Sequence, residues 1–317
     1  MHLLIPFASS SSEYARRTLR ELKLPHLQSL LARLTPVHHD TGSDDTLSPP
    51  HERAQARLLG LHGADGLLPW AALQAQQTQA DTSSGEGWGW VTPCRWQVGR
   101  DHIRMDPPDT LALNETESRA LLAAMQPYFE EDGISLSFVS PTRWLARSPL
   151  FRTLPTASLD RVAGRDLEGW TPKGAQAAPI RRLQNEMQML LYTHPLNEAR
   201  AERGLPPVNS FWLSGTGALD STPVSPAEAK LTVAHQLADA ALREDWPAWG
   251  EAWQQLDAVE CAALLAALAQ PGPPERAMLT LCGERSAQTL AAAPRGLLTQ
   301  VIGIFGQKPS SHTWDTL

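Results

Sequence analysis

Residues 182–217, RLQNEMQMLLYTHPLNEARAERGLPPVNSFWLSGTG, constrain this chain more than any other stretch. Leu183, Met187, Leu190 and Leu191 fall at helical spacing and form one apolar stripe, so the stretch opens as an amphipathic helix. His194, Pro195, Asn197 and Arg200 follow within a short span. Gly204 and the pair Pro206-Pro207 then stop the helix, because glycine accepts a left-handed turn and proline has no N–H to continue the ladder. Ser210 to Ser214 (SFWLS) reads as a buried strand, ended by Gly215-Thr216-Gly217. Helix, polar turn and strand make an α/β unit with its polar groups at the element ends, where ligands of α/β proteins sit. The pattern fits a purely structural joint equally well, and both readings stay open.

The rest of the chain extends the α/β pattern. His2 to Phe7 (HLLIPF) reads as a buried strand, and Ser9 to Ser12 stand where they can cap a helix starting near Glu13. Leu24 to Leu34 is a second helix, and Thr35 to Pro50 a polar loop carrying His38, His39 and Asp40. Residues 80–89, rich in Gly and Ser, look like a crossing between domains. Trp90–Val98, His102–Met105 and Ile134–Val139 read as strands. Asn114 to Met125 is a helix whose Asn114 and Glu117 form a capping signature. Pro226–Leu242 and Trp246–Leu268 read as helices, Met278–Cys282 as a buried strand, and Arg295–Phe305 as a last helix or a strand with helix before a loose tail. Trp246, Trp249 and Trp253 share one helix face, which reads as core packing.

Length and composition bound the function. The chain has 317 residues, 42% of them hydrophobic, enough for one elaborate domain or two ordinary ones. A net charge of -7 argues against nucleic acid as a partner, since phosphate neutralisation needs a basic face. No window reaches transmembrane length, so no membrane partner is expected. Three widely spaced cysteines and an N-terminus without a basic lead point to reduced thiols in the cytoplasm.

His194-Pro195, Asn197, Arg200, Gly204, Pro206-Pro207 and Asn209, followed by a strand and Gly-x-Gly, resemble the archaeal-type cofactor-independent phosphoglycerate mutases of the alkaline-phosphatase-like superfamily. The whole chain looks closest to proteobacterial mutase-like and RpfE-type regulatory proteins. The resemblance implies an α/β fold: an alkaline-phosphatase-like core from 1–84 and 191–317, with a smaller substrate-type α/β domain inserted at 85–190. It also implies two clustered metals and a nucleophilic serine.

The chain departs from that chemistry at several places. The first strand ends in Pro6-Phe7-Ala8 where the family has a metal-binding Asp-Gly pair. Gly42-Ser43-Asp44 matches the nucleophile motif in letters, but reading back from Leu58-Leu59-Gly60 puts His51 and Glu52 in its place. Leu159-Asp160 stands for a His-Asp pair, so the acid is kept and the imidazole lost. Asp245 has no following His, and Gly283-Glu284-Arg285 replaces an Asp-His pair. No metal or other cofactor is therefore expected, and no confident catalytic residue, with Ser43 the only candidate nucleophile. His194, Asn197, Arg200, Asn209 and Asp160 remain as ligand-binding residues, with Arg161, Arg165, Arg181 and Arg182 lending charge.

The expected function is a mutase-like protein with a degenerate active site. It would bind a phosphorylated metabolite or a protein partner in a regulatory role. The alternatives are an active mutase or phosphatase that uses Ser43, Asp44 and the His38-His39-Asp40 cluster, and an interaction scaffold with no small ligand.

Overall fold

The computed structural model describes residues 1–78, 85–220, 223–270 and 277–292. Among these, the strands are β1 (His2–Ile5), β2 (Leu34–Thr41), β3 (Gly87–Cys94), β4 (Trp96–Val98), β5 (Ile103–Met105), β6 (Ser135–Ser140), β7 (Arg143–Ser148), β8 (Ser210–Gly217), β9 (Leu231–Val233), β10 (Met278–Cys282) and β11 (Ser286–Ala292). The α-helices are α1 (Glu13–Glu21), α2 (Pro25–Leu31), α3 (Pro50–Leu58), α4 (Trp70–Gln77), α5 (Glu115–Glu131), α6 (Leu159–Val162), α7 (Ala178–Tyr192), α8 (Pro195–Glu202), α9 (Ala238–Leu242), α10 (Trp246–Leu256) and α11 (Ala262–Ala269). The α/β class holds.

The chain forms two compact units, one of Met1–Asp44, Pro49–Leu59 and Val224–Leu317, the other of Asp45–Ser48 and Gly60–Pro223. The second unit runs wider than the 85–190 insert expected from the sequence. It includes β8 because β8 pairs antiparallel with β3 from Trp88 to Cys94.

The first unit is built on a five-stranded sheet in the order β2-β11-β10-β1-β9. β1 runs parallel to β10 and β9, and β11 returns antiparallel to β10. Successive side chains of a strand point to opposite faces. Leu3 and Ile5 pack with Leu27, Leu30, Trp249 and Trp253 on one face. Leu4 packs with Ala54, Cys282 and Ala287 on the other. Burial on both faces makes the strand an unbroken apolar run. His2 is the polar exception: its Nε2 lies 2.7 Å from Thr280 Oγ1. Burial, with the nearby Arg57 charge, pulls its pKa to about 4 and keeps the ring neutral.

Three segments of this unit differ from the sequence reading. Residues 35–41 are not a loop but most of β2, an edge strand exposed along both faces. The helix expected over 226–242 contains β9, which pairs with β1. β11, unread in the sequence, follows β10 after a short turn. The element expected at 295–305 and the tail lie outside the described residues, as do residues 80–84 of the 80–89 crossing, whose last three residues open β3.

α10 and α11 are one helical run with a π turn at Asp257–Cys261. The turn aims Asp257 at the start of α2, where its carboxylate accepts the N–H groups of Leu27 (2.7 Å) and His26 (3.3 Å). Leu24, at the N-cap position of α2, has no side chain that can do this. Trp246, Trp249 and Trp253 stack edge to face at 6.0 and 6.1 Å, as core filler. The expected serine cap of α1 is in register, but Ser12 makes no side-chain capping bond.

The second unit holds a four-stranded antiparallel sheet, β6-β7-β3-β8, and the hairpin β4-β5. Ile180, Leu183, Met187 and Leu191 of α7 and Leu121, Met125 and Phe129 of α5 pack with Trp144, Phe211 and Leu213 of the sheet. α4 packs its alanines against Trp88 and Leu145. Asn114 and Glu117 complete the capping box that starts α5. β8 continues through Gly215, which does not end the strand as the sequence suggested; φ is +62° there, and a Cβ would lie 2.8 Å from the Trp90 ring.

Candidate functional site

The motif that dominates the sequence folds into a buried polar node of the second unit. α7 ends at Tyr192, and His194 caps α8, its Nδ1 accepting the Leu196 N–H at 3.2 Å. The two asparagines stand in for missing strands. Asn197 accepts from Val208 N–H (2.9 Å) and donates to the carbonyls of Val208 (2.7 Å) and Leu191 (2.8 Å). Asn209 accepts from Trp96 N–H (2.7 Å) and donates to its carbonyl (2.9 Å).

Arg200 is fully buried, at 0% exposure. Its Nη1 donates to Glu117 Oε2 at 2.7 Å, its Nε to the Pro206 carbonyl at 2.9 Å, and its Nη2 to the Leu111 carbonyl. Glu117 also receives Arg203 Nη2 and the Asn114 N–H (3.3 Å). Burial alone would push the Glu117 carboxyl up. The hydrogen bonds from Arg203 and Asn114, with the charges of Arg200 and Arg203, outweigh it and hold the pKa below the usual range. A buried guanidinium with each nitrogen engaged by the protein has no face open to an anion. Of the two readings the sequence left open, this geometry supports the structural joint over the ligand pocket at Asn197, Arg200 and Asn209. Asp160 is on α6, a four-residue helix capped by Ser158.

Open α/β sheets bind ligands at the carboxyl end of their parallel strands, which in the first unit are the ends of β1 and β10. β1 runs out into Phe7, which holds a left-handed φ of 53°. A phenylalanine there is strained by about 1–3 kcal/mol. The turn is held by Trp249 Nε1 donating to the Phe7 carbonyl (3.0 Å), by Ala8 N–H donating to the Cys282 carbonyl (2.7 Å), and by the Phe7 ring 5.0 Å from the buried His51 ring.

β10 runs out into Glu284 and Arg285. Ser10 Oγ donates to Glu284 at 2.7 Å, and Arg285 Nε pairs with Asp44 at 2.6 Å. Arg53 ties β2 to this turn, its Nε donating to Asp40 (2.8 Å) and its Nη2 to the Arg285 carbonyl (3.0 Å). Strand ends that offer a phenyl ring and fixed guanidinium charges do not make a dication cage.

The remaining predicted residues follow from local geometry. Ser43 lies in the exposed loop between β2 and α3, beside the paired Asp44. His38, His39 and Asp40 are consecutive on β2, so His39 points away from the other two and the three do not converge on one ion. Asp245 caps α10, accepting the Ala248 N–H at 3.1 Å. All three thiols are buried, and burial pushes Cys261 up to about 12, so none is poised as a nucleophile.

The sequence reading missed Glu117 and Arg203 as members of the node. Glu117 was legible as a capping residue, but its link to Arg200 spans 83 residues. Arg203, one helical turn from Arg200, carried the only local signal.

No family model matches this chain, and no curated protein matches it. Solved structures do. A cofactor-independent phosphoglycerate mutase from Thermoplasma acidophilum is 12% identical, with 92% of this chain and 89% of that chain covered and a TM-score of 0.34. The PH0037 protein from Pyrococcus horikoshii is 13% identical, with 92% and 87% covered and a TM-score of 0.42.

Proposed function

We propose that this chain is a phosphoglycerate-mutase-like protein on an alkaline-phosphatase-like frame that has given up two-metal catalysis and acts by binding a protein partner in a regulatory role. The observation that carries this reading is the set of side chains at the ends of β1 and β10. Two-metal phosphoryl transfer needs carboxylates and imidazoles converging on ions ~3.5–4 Å apart. Those strand ends carry Phe7, a Glu284 bonded to Ser10, and an Arg285 paired with Asp44. The mutase-like motif supports the frame. The burial of Arg200 favours a protein over a phosphorylated metabolite, because the residue suited to grip phosphate is sealed inside.

The test is interconversion of 3-phosphoglycerate and 2-phosphoglycerate by the purified chain with added Mn²⁺, alongside a melting curve with 3-phosphoglycerate. The expected result is no turnover and no shift. A ligand at ~100 times its Kd would add about 2.7 kcal/mol of apparent stability, which a melting curve registers readily. Turnover that disappears in Ser43→Ala would establish an active mutase and overturn the reading. A melting shift without turnover would point to the metabolite.

A further inference from the structure

On the α3 side of the first unit's sheet, four side chains make one line of hydrogen bonds. Arg57 Nη2 on α3 donates to Thr289 Oγ1 on β11 at 3.2 Å. Thr289 Oγ1 lies 2.9 Å from Thr280 Oγ1, its cross-strand neighbour on β10. Thr280 Oγ1 lies 2.7 Å from His2 Nε2 on β1. Thr280 is 0% exposed, Thr289 1% and His2 5%. Neither threonine hydroxyl has a further partner among the described residues.

The donors fix the direction of the line. A guanidinium only donates, and a hydroxyl has one proton to give. Arg57 therefore makes Thr289 Oγ1 an acceptor. The Thr289 hydroxyl then donates to Thr280 Oγ1, and the Thr280 hydroxyl to His2 Nε2. Only this order satisfies both buried hydroxyls, and it makes neutral His2, with its proton on Nδ1, the terminal acceptor. A ring protonated on both nitrogens must donate to Thr280 instead. One buried hydroxyl proton is then left without an acceptor, which is destabilising.

The charges around the ring oppose protonation as well. Arg57 acts on it from α3 and the chain's amino group from the start of β1. Lys230, whose carbonyl accepts the His2 N–H at 2.8 Å, stands just before β9. β10 and β11 present Thr280, Cys282, Ala287 and Thr289 on this face, and burial keeps the Cys282 thiol neutral. On β2, Asp40 pairs with Arg53, and burial and Arg57 pull the His38 pKa down.

We infer that these four residues form an acid-sensitive latch: the line of hydrogen bonds running from Arg57 to His2 holds α3, β11, β10 and β1 together, and protonation of the ring breaks it. Burial first, then these charges, set the titration of the folded ring at about 4. An unfolded histidine titrates at about 6.5. A base whose pKa is lowered by folding contributes stability that is whole above the unfolded value. That stability is lost as pH falls from about 6.5 toward the folded value.

Long-range nitrogen–proton NMR of the full-length chain reads tautomer and titration together, with His2 assigned by the signal that His2→Gln removes. The Nδ1–H tautomer and a midpoint of about 4 are expected. Arg57→Gln removes the charge and offers an acceptor, so the line can run either way. The His2 midpoint then rises by about one pH unit or more, a tenfold gain in proton affinity. Thr280→Val keeps Arg57 but removes the hydroxyl that donates to Nε2, and the tautomer is released. In urea, the wild-type midpoint drops further between pH of about 6.5 and 4 than that of His2→Gln, which does not titrate. An Nε2–H tautomer, an ordinary wild-type titration, a midpoint unmoved by Arg57→Gln, or parallel urea profiles each overturn the latch. Where a variant fails to fold by circular dichroism, the wild-type tautomer and midpoint still decide.

Discussion

Arg200 carries the most consequential choice in the molecule. A guanidinium in a motif that resembles a phosphate-handling enzyme invites a ligand role, yet every nitrogen of this one is engaged by Glu117 or a main-chain carbonyl. Removing it leaves the buried Glu117 carboxylate with Arg203 as its cation and strands the Leu111 and Pro206 carbonyls, which costs about 1–3 kcal/mol, the range for buried partners left unsatisfied. Arg200→Met is therefore expected to lose about that much stability in urea unfolding, with no ligand present and no rescue by phosphate. Arg200→Lys should fare little better, because an ammonium cannot reproduce the three-way fork. A variant of unchanged stability that loses only a phosphate-induced shift would make Arg200 a ligand residue after all.

Among the elements, α2 depends on a distant one. Its first N–H groups are satisfied by Asp257, on the π turn 230 residues along the chain from Leu27. Asp257→Ala should cost about 1–3 kcal/mol, the range for leaving buried donors unsatisfied. Hydrogen exchange should speed up first at the amides of His26 and Leu27; uniform loss of protection across the first unit would contradict a local cap.

Elements with strong local signals were legible in the sequence. β1 and β10 are apolar runs buried on both faces, and α5 announces itself by its capping box. β2, β9 and β11 were not. β2 is an edge strand exposed on both faces, so its residues PVHHDT show no alternation. β9 is three residues long and sits in an alanine-rich segment whose local preference is helical. β11 is made of small residues that become a strand only by pairing with β10 and β2. The candidate site was half legible. The motif was visible, but the role of its asparagines and arginine depends on Trp96, Leu111 and Glu117, which lie far away in sequence.

At the scale of the whole molecule, each unit closes its own core. In the second unit Asn197, Arg200 and Asn209 form a lock that seats α8 and β8 beside α5 and β4. In the first unit a phenylalanine fills the left-handed turn after β1, and Glu284 and Arg285 follow β10.

The central claim is that the strand ends of the first unit hold no two-metal cage. Elemental analysis of the purified chain, after incubation with Mn²⁺ and Zn²⁺ and removal of free ions, tests it most directly. The account predicts no stoichiometric pair of ions per chain, and no change in metal content when Glu284 or Asp44 is replaced by alanine. About two ions per chain, lost when Glu284 or Asp44 is replaced by alanine, would contradict it.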